Sequence, residues 1–363
     1  QQAFEIACSD TYPHGFANLV MMKVQPMADL STVLSRLDAQ QANLAQGQPQ
    51  VLAFTDPANT VSTVTPSEQQ AHAHTHAQPQ PQAVHTRAEW QEILHRFTRS
   101  LVSDTAAGDN NTELSISDEM EQLFDLVLQP VYQDSQVLYI ETFIKFNAQG
   151  QPLASSDVFA MAERLGVSLL LDKALVTYIL TKLKHHKNQT FAINLSKSAL
   201  HDKHFVRWLT QTLRANQAQL PPLVFEVSEH AILGAVNSAN EFFNAVKQVG
   251  AQVAIERFGA SFSSFRYLQG LNIDYIKIDG SYIRELKQPE TRFFVQTMTH
   301  ICHGIGIKVI APQIEDVEIV AICHEIYIDA VQGRGLTPPI AFVKISQKND
   351  CIFDINQVES LKS

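Results

Sequence analysis

Cysteine is scarce and never closely paired: Cys8, Cys302, Cys323 and Cys351 are the only four in 363 residues. With no CxxC and no even framework, the pattern argues against a disulfide scaffold or zinc ribbon and for a reducing compartment. Positive charge is also in deficit. Lys and Arg number 27 against 37 Asp and Glu, leaving a net charge of −10. With no basic stripe, nucleic acid is not expected as a partner. The densest basic run, KLKHHK at 182–187, reads as a helix end, where cations meet the negative pole of the helix dipole. No apolar run approaches the roughly 20 residues that span a bilayer, and no signal peptide is visible. The chain begins at Gln1 rather than Met, and QQAFEIACSD reads as the middle of an amphipathic helix. The expectation is therefore a piece of a longer protein, with room for a membrane anchor upstream.

The first 120 residues hold one clear βα unit. FANLVMMKV (16–24) has strand length, and Met27, Leu30, Leu34, Leu37 and Leu44 then keep helical spacing before a short strand, QVLAF (50–54). Residues 57–86, rich in Ala, His, Gln, Pro and Thr, read as a low-complexity loop. Histidines 72, 74 and 76 lie in that tract, where a flexible chain offers a metal no rigid site. TRAEWQEILHRFTRSLV restores helical periodicity. No phosphate loop, nucleophile constellation or acidic pair on a tight turn occurs in this region, so its expected role is structural or regulatory.

Beyond about residue 123, short apolar runs alternate with amphipathic helices. The strands read as LVLQPVY, VLYIETFIKF, FAINLS, LVFEVSE, QVAIERFG, YIKID, KVIAP and AVQGR. Repeated βα units over this length imply a parallel sheet closed into a (β/α) barrel. Several strands end in polar residues: Glu141, Asn194, Glu226, Glu256, Lys277 with Asp279, and Gln332. A parallel barrel gathers C-terminal strand ends at one face, so these residues converge. Carboxylates and an amide oxygen suit Mg²⁺, Mn²⁺ or Ca²⁺, and a lysine can assist proton transfer or hold phosphate.

Over roughly residues 120–342 the sequence resembles the EAL-domain family, which binds and often hydrolyses the bacterial messenger cyclic di-GMP. LQPVY matches the opening strand, with Gln129 at the ligand-contacting glutamine. ETFIKF stands at the name motif, where Glu141 keeps the acid and Lys145 replaces the following arginine. INLS supplies Asn194, FEVSE supplies Glu226 and Glu229, IKID supplies Lys277 and Asp279, and QGR supplies Gln332. The stretch RFGASFSSFRYLQGLNIDYIKIDGSYIRELKQ is similar to the LapD-type receptors. These are inner-membrane proteins with degenerate diguanylate-cyclase-like and EAL domains. QQAFE resembles the first helix of such a cyclase domain, and no GGDEF-like signature follows it.

Two departures bear on activity. Active members carry adjacent aspartates where this chain has Glu256 and Arg257, and a glutamate where it has Pro312. A fixed cation at 257 repels a divalent ion at about 4 Å by several kcal/mol at surface-like dielectric, and two-metal hydrolysis needs both ions. Lys145, Arg257 and Lys277 can instead pair with phosphate directly.

The resemblance thus implies an α/β protein. Its expected parts are a degenerate GGDEF-like α+β domain at 1–118, an EAL-type barrel at 119–345 and a tail at 346–363. The expected function is that of a catalytically inactive receptor controlling biofilm formation or adhesion. Cyclic di-GMP is the expected ligand, with no cofactor and no resident metal. The expected binding residues are Gln129, Glu141, Lys145, Asn194, Glu226, Glu256, Arg257, Lys277, Asp279 and Gln332. A homodimer, a periplasmic protein partner and a place as the cytoplasmic portion of an inner-membrane protein complete the expectations. The alternative is a weak metal-dependent phosphodiesterase.

Overall fold

The structure, a computed structural model, describes residues 4–11, 17–24, 85–102, 114–134, 136–260 and 265–342. The chain divides into two compact units, 1–82 and 83–363. In the first, β1 (Phe4–Thr11) and β2 (Ala17–Val24) pair antiparallel, Phe4 opposite Val24 and Thr11 opposite Ala17. The expected strand at 16–24 is therefore present. The segment expected to be helical is instead β1, because Phe4, Ile6 and Cys8 recur at the strand period of two. The expected helix around 27–44, the strand at 50–54, the His-rich tract and the 346–363 tail lie outside the described residues.

The second unit opens with the helix Arg87–Val102. Its start is a reciprocal cap: Thr86 N donates to Glu89 Oε2 at 2.6 Å and Glu89 N to Thr86 Oγ1 at 3.3 Å. Trp90, Ile93, Leu94 and Phe97 are buried in the same core cluster as Phe124, Phe146 and Tyr178. This helix, placed by its sequence position before the barrel, thus belongs to the barrel's own core.

Twelve strands in all are described. Those of the second unit are β3 (Phe124–Gln133), β4 (Gln136–Ala148), β5 (Gln151–Leu153), β6 (Phe191–Leu195), β7 (Leu223–Ser228), β8 (Gln252–Phe258), β9 (Tyr275–Ile278), β10 (Lys308–Ala311), β11 (Ala330–Val331) and β12 (Ile340–Ala341). The sheet runs β3-β11-β10-β9-β8-β7-β6-β4 and closes through a β3–β4 pairing, giving an eight-stranded barrel edged by β5 and β12. Its neighbours from β4 to β11 are parallel. The first strand departs from the expected all-parallel order, for β3 pairs antiparallel with both β4 and β11. The reason is local: Gln133 pairs with Gln136, and a connection that short makes a hairpin, never a parallel crossover.

Side chains alternate across a strand, so every second residue faces the barrel axis. Each of the eight strands contributes one residue to a buried interior layer: Val131, Tyr139, Ala192, Val224, Ala254, Tyr275, Ile310 and Ala330. Two tyrosines among small and branched residues fill the bore. Two residues further along each parallel strand, and two earlier on the reversed β3, the next inward positions are Gln129, Glu141, Asn194, Glu226, Glu256, Lys277, Pro312 and Gln332. The bore therefore passes from an apolar plug to a polar ring in one step of the pleat.

Among the described residues no helix is long and apolar enough to cross a membrane. That overturns the expected placement as the cytoplasmic portion of an inner-membrane protein.

Candidate ligand-binding site

Lys277 stands at the centre of the ring. Its ammonium donates to Glu141 Oε2 at 2.5 Å and to Glu226 Oε2 and Oε1 at 3.0 and 3.3 Å. Glu141 also accepts from Gln332 Nε2 at 2.8 Å and Asn194 Nδ2 at 3.0 Å, while Tyr139, rising from the layer below, donates its hydroxyl to Glu226 Oε1 at 2.8 Å. Burial alone would raise the Glu141 carboxyl, but the Lys277 charge and these donors hold it below its ordinary value. Burial and the adjacent Glu141 charge push Glu226 up to about 8. Burial also raises Glu256. The Lys277 ammonium would lose its proton more easily through burial, yet the carboxylates around it raise it instead. One fixed cation thus stabilises several buried acids that burial would otherwise keep from sharing full charge.

Gln129, Glu141, Lys145, Glu256, Arg257, Lys277 and Gln332 line one cavity of about 780 Å³. Asn194 lines a neighbouring cavity of about 650 Å³ that shares the Glu141 and Glu256 walls. Glu226 is fully buried beneath them. Asp279 caps the following helix, its Oδ1 accepting from Ser281 N at 3.0 Å and Ser281 Oγ at 2.7 Å, while its Oδ2 lies 3.6 Å from Arg257 Nε. The ten expected residues therefore meet in one region, in unequal roles. Lys277 was a candidate phosphate partner, but it is buried and committed to carboxylates. The exposed cations on the larger cavity are Lys145, Arg257 and Arg334.

The turn after β8 is held from below. Arg257 has φ 55°, in the left-handed region. Glu229, buried, accepts from Gly259 N at 3.1 Å and from the Tyr267 hydroxyl at 2.7 Å. Tyr282 donates to the Gly259 carbonyl at 3.0 Å. Gly259 itself has φ +86°, and a Cβ there would press to 3.2 Å from the Tyr282 ring. Across the mouth, a Cβ on Gly333 would fall 2.0 Å from the Ile314 carbonyl oxygen, so only glycine lets these loops cross.

Oxygen atoms of Glu141, Glu226 and Glu256 lie within 4.8 Å of one another, the only such gathering of acids, thiols and imidazoles among the described residues. With the Asn194 amide they are a donor set for one hard divalent ion. The neighbouring positions do not extend it, for Arg257 brings a cation, Asp279 is engaged by that cation and by Ser281, and Pro312 brings no side-chain donor.

Asp172 and Arg334 were not picked out from sequence. Arg334 follows Gln332 in QGR, and only loop geometry turns it to the cavity. Asp172 sits in the buried helix Ser168–Leu183, accepting from Ser196 N at 3.3 Å and from Ser196 Oγ, and burial raises it to about 6. A carboxylate on an otherwise apolar helix face was the available signal.

A bore sealed below and lined above by three acids, three amides and a lysine defines a ligand-binding or metal-dependent (β/α) barrel. The EAL domain model matches residues 114–339, and the chain belongs to that family. The cyclic di-GMP phosphodiesterase PdeA of Borreliella burgdorferi is 27% identical over 241 residues, covering 61% of this chain and 36% of the relative. The chain thus spans about a third of the length of such curated relatives. The FimX EAL domain of Pseudomonas aeruginosa bound to c-di-GMP aligns with TM-score 0.56 at 24% identity, over 67% of this chain and 96% of that one. The S helix-GGDEF-EAL portion of Vibrio cholerae LapD, bound to c-di-GMP, aligns with TM-score 0.55 at 19% identity, over 88% of this chain and 68% of that one. Both are similar in fold.

Proposed function

We propose that this chain is a receptor for cyclic di-GMP whose EAL barrel does not hydrolyse the messenger. The observation that carries this reading is the Arg257–Asp279 pair at the cavity wall, 3.6 Å apart. It puts a permanent cation, and an acid already occupied by it, where a second metal would need free carboxylates. Lys145, Arg257 and Arg334 are then the phosphate partners, and Gln129, Asn194 and Gln332 face the base edges. The LapD-type reading adds a degenerate cyclase-like N-terminal domain and an output in biofilm formation or adhesion. Its homodimer is supported by exposed Phe293 and Ile301 on the helix Pro289–Gly304.

A weak phosphodiesterase is the second reading, favoured by the Glu141, Glu226 and Glu256 oxygens gathered at one point. In that case the three glutamates and Asn194 hold one divalent ion, which supplies Lewis acidity to a phosphate oxygen. Calorimetric titration with cyclic di-GMP in EDTA, beside incubation with Mn²⁺ and chromatography for linear product, separates the two. The receptor reading expects saturable binding under chelation and no product. Loss of binding in EDTA, or linear product with Mn²⁺, overturns it.

A further inference from the structure

At the opposite end of the barrel from the polar ring lies a second concave site that the messenger reading leaves unused. Gln133, at the finish of the reversed β3, and Asp329, just ahead of β11, both border it, which fixes it at the N-terminal ends of the parallel strands. The cavity is about 420 Å³, and His300, His303 and His324 line it together with Asp134, Tyr327 and Asp329.

Three imidazoles meet there for a structural reason. His300 and His303 are three apart on the helix Pro289–Gly304, which sets them on one face. His324 arrives from the last turn of Glu318–Glu325. Tyr327, at φ 64°, turns the chain back, and its ring centroid lies 5.7 Å from that of His300. His303 Nε2 is 2.8 Å from Asp329 Oδ2, an oxygen fixed by Val309 N at 2.7 Å. With the ring proton on Nε2, Nδ1 keeps its lone pair free. A carboxylate bound to the far nitrogen is the arrangement that orients a metal-ligating histidine and raises its basicity.

We propose that His300, His303 and His324 form a binding site for a divalent transition-metal ion of the Zn²⁺ class, with Asp329 as the positioning carboxylate behind His303. Imidazole nitrogens select Zn²⁺ over Mg²⁺ or Ca²⁺, which the all-oxygen donors of the polar ring suit better. Closing the site requires the exposed His300 and His324 side chains to turn about their rotatable bonds, for their nitrogens are not yet gathered at ligand spacing. Asp134, in the turn after β3 at φ 49°, borders the same cavity and offers a fourth, oxygen donor. The site stands apart from the polar ring, so it does not depend on whether the chain binds cyclic di-GMP.

The test uses the full chain and the metal alone. Zn²⁺ is titrated against a chromophoric chelator, and Co²⁺ is added separately to read its ligand-field bands. The expected result is one saturable equivalent with the intense visible bands of low-coordinate Co²⁺. His303→Ala and His324→Ala should each weaken it at least tenfold. The loop variant with His72, His74 and His76 all changed to Ala, and Glu256→Gln in the polar ring, should retain it. Since the three cavity histidines are exposed, circular dichroism should confirm that the variants fold. The proposal is overturned if no saturable equivalent is found, if it survives His303→Ala, or if it is lost in the loop or Glu256→Gln variants.

Discussion

Lys277 shows how much one side chain decides. It sits in the bore with Glu141 and Glu226 as partners at 2.5 and 3.0 Å, so two of the ring's three acids already share a cation within the protein. A metal must therefore compete with an ammonium already in place. Arg257, its side chain 71% exposed, answers Asp279 instead. Replacing Arg257→Asp together with Pro312→Glu removes that cation and restores acids at both positions. Divalent affinity by calorimetry should rise at least tenfold; unchanged affinity would show that these positions do not face the metal. Asp172 carries a second residue-level consequence. Its folded pKa, about 6, lies above the ordinary 3.8, so the folded state holds its proton more tightly than the unfolded chain does. The stabilisation is complete below the unfolded pKa and is lost as pH rises through about 6, on the order of 3 kcal/mol in all. In Asp172→Asn that part of the slope between about pH 4 and 6 should vanish from urea-melt stability profiles compared with the parent chain.

At the scale of elements, the helix Arg87–Val102 is the informative piece. Phe97 is fully buried, with ring centroids 5.3 Å from Phe124 and 5.4 Å from Phe146. Phe146 in turn lies 5.6 Å from Phe159, which lines the smaller cavity beside the polar ring. The helix packs along the helix Ser168–Leu183 and sets Phe97 against the strands that begin the barrel. Truncating Phe97→Ala removes a large ring from a closed cluster and should cost about 3–5 kcal/mol of unfolding free energy. A loss below about 1 kcal/mol in chemical denaturation would mean that the helix is only loosely attached.

For the molecule as a whole, the boundary between the compact units at 82/83 matters more than the change of texture near 120. A protein comprising residues 83–363 keeps Trp90, Ile93, Leu94 and Phe97 against the barrel, and should unfold in one cooperative transition. A protein starting at residue 120 exposes the apolar face that these four side chains cover. It should melt at least 5 °C lower in calorimetry, or aggregate. Equal melting temperatures would show that the helix contributes nothing to the barrel.

The sequence by itself determined the alternation of strands and helices, because the periods of 2 and 3.6 are local. It also determined the chemistry of the polar ring: Glu141, Asn194, Glu226, Glu256, Lys277 and Gln332 each follow an apolar run, and closure of the barrel does the rest. Short segments defeated it at β1, where a few apolar residues fit either period, and at β3, whose direction depends on a hairpin connection. Tertiary structure alone decided that Lys277 answers Glu141 and Glu226, that Asp172 and Arg334 border the cavities, and that three histidines meet at the far end of the bore. These are long-range contacts. Charge partners, loop crossings and cavities arise only when the barrel closes and brings distant strands and loops within a few ångströms.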